Sequence, residues 1–303
     1  MSDLFTIFVD NLLPIFLAAG AGYILTRVSG LNPRPISQVI FYIFSPCLIF
    51  SLLTQSQLSN DDILRGSAYA FAIIICVGIL TWIVGRMFHL NRRTMAGVLI
   101  ASMFMNAGNF GLPVVLFAFG EKALRYASLF FVVNAVAAYT VGVIIASMGS
   151  VRLRKALLNL LKIPTVYALL LALIFMRSDW EIPLPLERTT TLLGNASIPA
   201  MLVLLGMQLS KANLAGRRTP IAIASVMRLV ASPIIALLLG QALGFSGSAR
   251  QAMTLESAMP TAVLTTVLST EYDASPSMVT SIVVVTTLLS PLTLTPLLAL
   301  LGA

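Results

Sequence analysis

The sequence predicts an all-α polytopic membrane protein with ten transmembrane helices, arranged as two inverted five-helix repeats with one broken helix in each. Three observations lead to this prediction: an apolar composition, ten apolar stretches of spanning length, and breaks at matching places in the two halves. Of the 303 residues, 58% are hydrophobic and 10% are charged, and the mean hydropathy is +0.96. This balance is typical of membrane proteins and excludes an ordinary soluble domain.

The ten predicted spans follow from length and hydrophobicity. A helix needs about 20 mostly apolar residues to cross a bilayer. The chain contains ten such stretches, at residues 4–26, 36–56, 63–86, 94–119, 123–148, 162–177, 190–210, 219–241, 249–270 and 275–301. The sixth of them is the shortest.

The loops between these spans alternate in basic charge, and this alternation predicts the orientation. Cytoplasmic loops of membrane proteins carry the excess of Lys and Arg. We therefore expect a multi-pass protein of the plasma (inner) membrane with both termini outside the cell, and the net charge of +8 does not indicate nucleic acid as a partner. Twelve basic residues fall in the loops assigned to the cytoplasm: Arg27, Arg34, Arg86, Arg92, Arg93, Arg152, Arg154, Lys155, Lys162, Lys211, Arg217 and Arg218. Six fall in the opposite loops: Arg65, Lys122, Arg125, Arg177, Arg188 and Arg250.

The most basic loop, 149–161, divides the chain into two halves of five spans, residues 1–150 and residues 151–303. An odd number of spans in each half makes the halves run in opposite directions across the membrane, which defines an inverted repeat. Prolines support the repeat, because they occur at matching places in spans two and seven and in spans four and nine: Pro46 with Pro199, and Pro113 with Pro260.

Two spans are interrupted by helix-breaking residues. Span four contains NAGNFGLP at 106–113, where glycines weaken the helix and Pro113 lacks an N–H group. Span nine contains ESAMP at 256–260. Backbone that opens inside a bilayer must be buried in protein or face a water-filled cavity. Two interrupted spans in matching halves indicate a transporter binding site.

The chain resembles the auxin efflux carrier family of membrane transporters, whose plant members are the PIN auxin exporters. The resemblance rests on the NxxxxGxP pattern at 106–113, on AMP at 258–260 followed by LSTEYDASP at 268–276, and on GNASIP at 194–199 with the Leu-Gly pair at 205–206. These motifs occur in order along the whole chain.

The resemblance implies a fold like that of bile acid:sodium symporters and NhaA-type antiporters. Spans 1, 2, 6 and 7 would form a scaffold domain, through which such proteins often form homodimers. Spans 3–5 and 8–10 would form a transport domain, in which spans four and nine cross at their prolines. The implied mechanism is elevator-type alternating access.

The first break is the expected substrate site. Asn106 matches the crossover asparagine that contacts the substrate carboxylate in PIN carriers, and its amide can donate to an anion without carrying a fixed charge. The alternative role is an interhelical hydrogen bond. Arg228, in the middle of span eight, either attracts a substrate carboxylate or pairs with Glu256. The further substrate-binding candidates at the two breaks are Asn109, Gly111, Pro113, Pro260 and Thr261.

Glu256 is the expected ion-coupling residue. A carboxylate at span depth is costly and marks an ion pathway by default, and Glu256 lies one helical turn before Pro260. Bile acid:sodium symporters carry a glutamate at the corresponding place, which implies a sodium ion at Glu256. Asn109, four residues before Pro113, occupies the position in the first half that answers Glu256, and it is a further ion-coupling candidate together with Ser257. A carboxyl group that binds a proton is one alternative, and an ion pair with Arg228 is another.

These observations predict a secondary transporter of a small organic carboxylate, coupled to sodium or protons. A cation/proton antiporter of the same fold is the first alternative, although such proteins usually carry aspartates at mid-membrane and no span core here contains one. A channel is the second, although no repeated pore segment is found. No catalytic set or nucleotide-binding motif is found, so we expect neither an enzyme nor a cofactor beyond the coupling ion. The expected partners are the substrate anion, membrane lipid and a second copy of the chain.

Overall fold

The computed structural model describes residues 4–55, 58–148, 158, 161–178, 180–212 and 216–303. Within these ranges the regular secondary structure is helical, and the pairing of Met105 with Thr261 is an isolated β-bridge. Most of the basic loop 149–161, including Arg152, Arg154 and Lys155, lies outside the described residues.

The helices are named here in chain order. They are α1 (Leu4–Ser29), α2 (Pro33–Thr54), α3 (Asn60–Met87), α4 (Arg92–Met103), α5 (Ala107–Ala146), α6 (Pro164–Arg177), α7 (Leu184–Ser210), α8 (Arg218–Ala242), α9 (Gly247–Ser257), α10 (Leu264–Glu271) and α11 (Pro276–Leu301). Helix α5 changes direction at Gly120, whose φ of 73° lies in the left-handed region that glycine tolerates.

Among the described residues, 7 helices are long and apolar enough to cross a membrane: α1, α2, α3, α5, α7, α8 and α11. The predicted all-helical, polytopic architecture is thereby confirmed. Helix α6 is apolar but has 14 residues, and the helices that lead into the two interruptions are shorter still, with 12 residues in α4 and 11 in α9. The count of ten spans and the inverted repeat therefore stay predictions.

Several helix ends follow from local sequence. Ser59 and Asp62 form a capping box at the start of α3, in which each side chain accepts a hydrogen bond from the backbone of the other residue. The side chain of Asn91 accepts from the backbone N–H of Thr94, 2.9 Å away, and so caps α4. Gly30 ends α1 in a left-handed conformation, with φ 70°.

One group of packed helices consists of α1, α2, α6 and α7, since α1 packs along α7 and α2 packs against both α6 and α7. The backbones of α1 and α7 touch at two glycines. A Cβ atom at Gly206 would lie 1.6 Å from the carbonyl oxygen of Ala19, and one at Gly22 would lie 2.0 Å from that of Val203. Small residues allow this approach, which is how many membrane helices associate.

The remaining helices pack around the interruptions. Helix α5 packs against α3 and α9, α4 packs against α3, α8 and α11, and α10 packs against α11. Fully buried aromatic side chains fill the space between them: Tyr69, Phe104, Phe110 and Phe130. The main hydrophobic core includes residues of both groups of helices, so the interruptions lie inside the protein.

We predict that Gly206→Ala destabilises the protein strongly, because the new methyl group overlaps backbone atoms that no side-chain rotation can move. Overpacking of this kind costs at least about 1–3 kcal/mol. The melting temperature of the purified protein in detergent measures the effect. Gly20→Ala is the matched control on α1, since a Cβ atom there meets no atom within 4 Å. Equal melting temperatures for the two variants would contradict the close contact between α1 and α7.

Candidate functional site

The first interruption lies between α4 and α5. Helix α4 ends at Met103, Phe104 is extended with φ −105° and ψ 116°, and α5 begins with a π-helical turn at Ala107–Gly111. Pro113 falls in the first α-helical turn after this π-helical turn, where a missing N–H group costs little. The chain therefore opens before Pro113, and this proline lies near the start of the second helix instead of breaking the first.

The second interruption lies between α9 and α10. Helix α9 ends at Ser257, and α10 begins at Leu264. Pro260 lies within the stretch between them, where the sequence predicts the break. Its position differs from that of Pro113, because the chain opens around Pro260 itself.

The two opened stretches pair with each other. The backbone N–H of Asn106 donates to the carbonyl oxygen of Pro260 at 2.8 Å, and that of Ala262 donates to the carbonyl oxygen of Phe104 at 2.9 Å. Met105 and Thr261 lie between these bonds as an antiparallel bridge. These bonds give partners to backbone N–H and C=O groups that make no hydrogen bond within a helix here. Lipid could not replace them, because its hydrocarbon tails form no hydrogen bonds.

Thr261 fastens this pairing to two neighbouring helices. Its hydroxyl group donates to the carbonyl oxygen of Ala101 in α4 at 2.8 Å, and its backbone N–H donates to the hydroxyl oxygen of Thr286 in α11 at 3.1 Å. The Thr261 side chain is fully buried by these contacts. The structure thus places Thr261 in the framework of the interruption.

A cavity of about 370 Å³ lies beside the paired interruptions. Its wall is built from α2, the start and the second half of α5, α6, α7 and the chain at 262–267. Two of the expected substrate-binding residues, Asn106 and Asn109, line it. Among the described residues in its lining there is no Asp, Glu, Lys, Arg or His. Any charged ligand in this cavity would therefore meet neutral amide, hydroxyl and backbone groups.

Four side chains in the lining carry a polar atom without a hydrogen-bond partner in the described part of the chain. These atoms are Nδ2 of Asn106, Oδ1 of Asn134, Oγ1 of Thr165 and Oε1 of Gln208. The Nδ2 atom of Asn134 donates to the carbonyl oxygen of Met105 at 3.0 Å, which fixes the orientation of that amide beside the first interruption.

Thr165 and Gln208 are not recognisable as site residues in the sequence. Both lie near the ends of predicted spans, at 162–177 and 190–210, where polar residues are ordinary. Only the packing of α6 and α7 around the cavity brings them to the same wall as Asn106.

Glu256 is fully buried against Gly111. A Cβ atom at position 111 would lie 2.2 Å from Oε2 of Glu256 and 2.7 Å from its Cδ atom, so the carboxyl group needs a glycine there. Neither carboxyl oxygen has a hydrogen-bond partner among the described residues. An anion in this state is very costly, and a bound cation or proton removes the cost.

The described residues contain no group of three or more His, Cys, Asp and Glu side chains that could hold a metal ion. A sodium ion at Glu256 would therefore need backbone or amide oxygens as its other ligands, which is the oxygen chemistry that hard cations prefer. The hydroxyl group of Ser257, another predicted ion-coupling residue, donates to the carbonyl oxygen of Met253 at 2.7 Å.

Arg228 is fully buried at the carboxyl ends of α4 and α9. Its guanidinium group donates to the carbonyl oxygen of Ser102 at 2.8 Å, to that of Ser257, and to the hydroxyl oxygen of Ser232. Ser232 also donates to the Ser257 carbonyl oxygen, at 2.7 Å. The cation thereby balances the partial negative charge at two helix ends.

This position separates Arg228 from the other predicted site residues. The described residues form no ion pair between Arg228 and Glu256, so the ion-pair alternative is wrong. The physical reason is that Nη1 and Nη2 of the guanidinium group already donate to the carbonyl oxygens at both helix ends and to Ser232, while Nε has no partner among the described residues. Arg228 is also absent from the lining of the cavity.

The structure thus sorts the predicted site residues into three places. Asn106 and Asn109 face the cavity. Gly111 and Glu256 are in contact behind it. The others lie in the framework that shapes the interruptions: Pro113, Arg228, Ser257, Pro260 and Thr261.

An all-helical polytopic protein in which two interrupted helices pair beside a cavity with converging amide and hydroxyl groups belongs to the class of membrane transporters. The chain belongs to the auxin efflux carrier family, since the family model described as "Membrane transport protein" matches residues 7–298. It is 27% identical to an uncharacterized transporter of Methanocaldococcus jannaschii over 93% of this chain and 95% of the relative.

Two other relatives match over nearly their full lengths. An uncharacterized transporter of Methanothermobacter thermautotrophicus is 25% identical, over 93% of this chain and 94% of the relative. A protein of Rhizobium meliloti named "Putative malonate transporter" is 27% identical, over 95% of this chain and 94% of the relative.

Proposed function

We propose that the protein is a secondary transporter that moves a small organic carboxylate across the membrane by elevator-type alternating access. The observation that carries this proposal is the cavity beside the paired interruptions. Its volume of about 370 Å³ suits a small molecule, and its polar groups converge from several helices. The name of the Rhizobium meliloti relative makes malonate one of the first acids to test.

The proposal includes ten spans in two inverted repeats, residues 1–150 and 151–303. Helix α4 together with α5 up to Gly120 would form span four, the rest of α5 span five, and α9 with α10 span nine. The packing of α1, α2, α6 and α7 supports their assignment to a scaffold domain, around which the other helices would move. A homodimer formed through this scaffold stays a prediction.

Asn106 is the proposed anion contact. Its Nδ2 atom is a buried donor without a partner among the described residues, and it lines the cavity. The N-terminus of α5 begins at the next residue, Ala107, where helix N–H groups and the positive end of the helix dipole favour an anion. Neutral donors bind a carboxylate while leaving its release easy, which a transporter requires.

The cavity lies toward the side that the charge pattern assigns to the cytoplasm. Residues at the start of α2, the start of α6 and the end of α7 line it: Gln38, Thr165 and Gln208. A second cavity, of about 240 Å³, shares the wall formed by Phe41, Tyr42 and Tyr139 and continues toward the loops. These positions support an inward-facing state.

The second cavity ends at three residues near the membrane surface, Lys162, Glu271 and Tyr272. Lys162 is the basic residue in its lining and is exposed. Burial and the neighbouring Glu271 carboxylate raise the pKa of Tyr272, so its hydroxyl group stays neutral at physiological pH. The entrance thus places the Lys162 and Glu271 side chains, of opposite charge, beside the neutral hydroxyl group of Tyr272.

Glu256 is the proposed coupling residue, with sodium or a proton as the ion. Its two carboxyl oxygens lack hydrogen-bond partners among the described residues, and a cation or proton would neutralise the group during movement across the membrane. The same observation supports the second candidate, a cation/proton antiporter of this fold, in which ion transport would need no organic anion.

The first prediction concerns orientation. With both termini outside, a cysteine placed at Ser2, in a variant lacking Cys47 and Cys76, should react with an impermeant thiol reagent added to intact cells. A cysteine placed at Ser150 should react only after the membrane is permeabilised. The reverse pattern would invert the orientation, and it would place the cavity on the outer side.

The second prediction concerns substrate binding. Asn106→Ala should weaken binding of the transported acid about ten- to a hundredfold, because a hydrogen bond to a charged group contributes about 1.5–3 kcal/mol. Calorimetric titration of the purified protein measures the affinity. Asn195→Ala is the matched control, since Asn195 is exposed and lies outside the cavity. Wild-type affinity in the Asn106 variant would exclude this contact.

The third prediction concerns coupling. Glu256→Gln keeps the shape of the side chain and removes its charge, so uptake into proteoliposomes should lose its dependence on the sodium or pH gradient, while exchange of substrate across the membrane continues. Gly111→Ala should impair coupling too, because its methyl group displaces the same carboxyl group. Unchanged gradient dependence in Glu256→Gln would remove Glu256 from coupling. Gradient-driven ion flux without any organic acid would favour the antiporter.

A further inference from the structure

Two polar groups on the wall formed by α6 and α7 accept or donate no hydrogen bond within the described part of the chain. The hydroxyl oxygen of Thr165 and the amide oxygen Oε1 of Gln208 are buried and line the cavity, and neither has a hydrogen-bond partner among the described residues. Thr165 is 1% exposed. They lie on two different helices and face the same space as Asn106.

The position of Thr165 explains why its hydroxyl group is free. A helical threonine commonly donates to the carbonyl oxygen four residues earlier. Thr26 does so to Gly22 at 3.0 Å and Thr140 to Val136 at 2.7 Å. Thr165 is the second residue of α6, so the carbonyl group four residues earlier lies outside the helix. Its hydroxyl group is left for a partner in the cavity.

The chemistry of these atoms constrains the ligand. A carboxylate only accepts hydrogen bonds, so it can accept one from Nδ2 of Asn106 but cannot donate one to Oε1 of Gln208. Water can donate to such an oxygen in a wet cavity, and a ligand that displaces the water loses affinity unless it replaces the hydrogen bond. A well-matched ligand therefore has a donor group as well as a carboxylate.

We propose that Thr165 and Gln208 form a subsite that recognises a hydrogen-bond donor on the transported acid. The substrate class is then a carboxylic acid that also carries a hydroxyl or ring N–H group. This proposal rests on the proposed function and deepens it. Asn106 binds the carboxylate, and the wall formed by α6 and α7 distinguishes substrates from plain acids of the same size.

Three matched pairs of acids test the subsite, because in each pair one member carries a donor that the other lacks. The pairs are lactate with propionate, malate with succinate, and indole-3-acetate with naphthalene-1-acetate. Calorimetric titration of the purified wild-type protein should give about tenfold or greater preference for the donor-bearing member, since a site built for a hydrogen bond rejects the analogue that lacks it. Equal affinity within every pair that binds, or tighter binding of the plain acid, would overturn the proposal.

The variants Gln208→Met and Thr165→Val then locate the preference. In each variant, the preference for the donor-bearing acid should fall to about threefold or less. Each variant should still bind the plain acid at least as tightly as the wild type does, which shows that the variant is folded. Gln241→Met is the matched control, since Gln241 is exposed and lies outside the cavity. A preference that persists in both variants would overturn the subsite.

Failure of the subsite and failure of the proposed function give different results. If plain and donor-bearing acids bind equally and the binding depends on Asn106, the carboxylate transporter stands and the donor subsite falls. If neither malonate nor any of the six acids binds, the proposed carboxylate site falls, and the donor subsite falls with it. If malonate alone binds, the carboxylate site stands and the donor subsite falls.

Discussion

The structure depends on one constraint, which is that backbone opened inside a membrane must find partners within the protein. Two helices open at the same depth, and each supplies what the other lacks, through the bonds from Asn106 to Pro260 and from Ala262 to Phe104. Neither interruption could be stable alone in lipid. The pairing explains why one chain carries two breaks, and it leaves the side chains beside the breaks available to a ligand.

The two buried charged residues near this pairing, Arg228 and Glu256, differ in whether they have hydrogen-bond partners. Arg228 is fully buried and donates hydrogen bonds to the carbonyl oxygens at the ends of α4 and α9 and to Ser232. Its positive charge therefore stabilises the ends of the opened helices. Glu256 is equally buried, and its oxygens have no partner among the described residues. Arg228 thus has partners in the framework of the interruptions, whereas Glu256 has none among the described residues, which is why we propose it as the coupling residue.

The cavity differs from both buried charges, because its described lining residues include no acidic or basic side chain. Amide and hydroxyl groups can orient an anion without holding it tightly. A transporter must release its substrate on every cycle, and very tight binding would slow that release. In the proposed site, the buried atoms of Asn106, Thr165 and Gln208 that lack partners among the described residues would select between ligands, because each unmet hydrogen bond costs free energy.

The sequence by itself determined the membrane character and the family, and it located both interruptions, because hydrophobicity and helix-breaking residues act locally. Glu256 and Asn106 stood out because polar groups within apolar stretches are costly. Only the tertiary structure decided that Arg228 binds carbonyl oxygens instead of Glu256, that Pro113 lies near the start of a helix, and that residues distant in sequence share the cavity wall. These outcomes depend on which helices pack together, and the periodicity of a single helix does not contain that information.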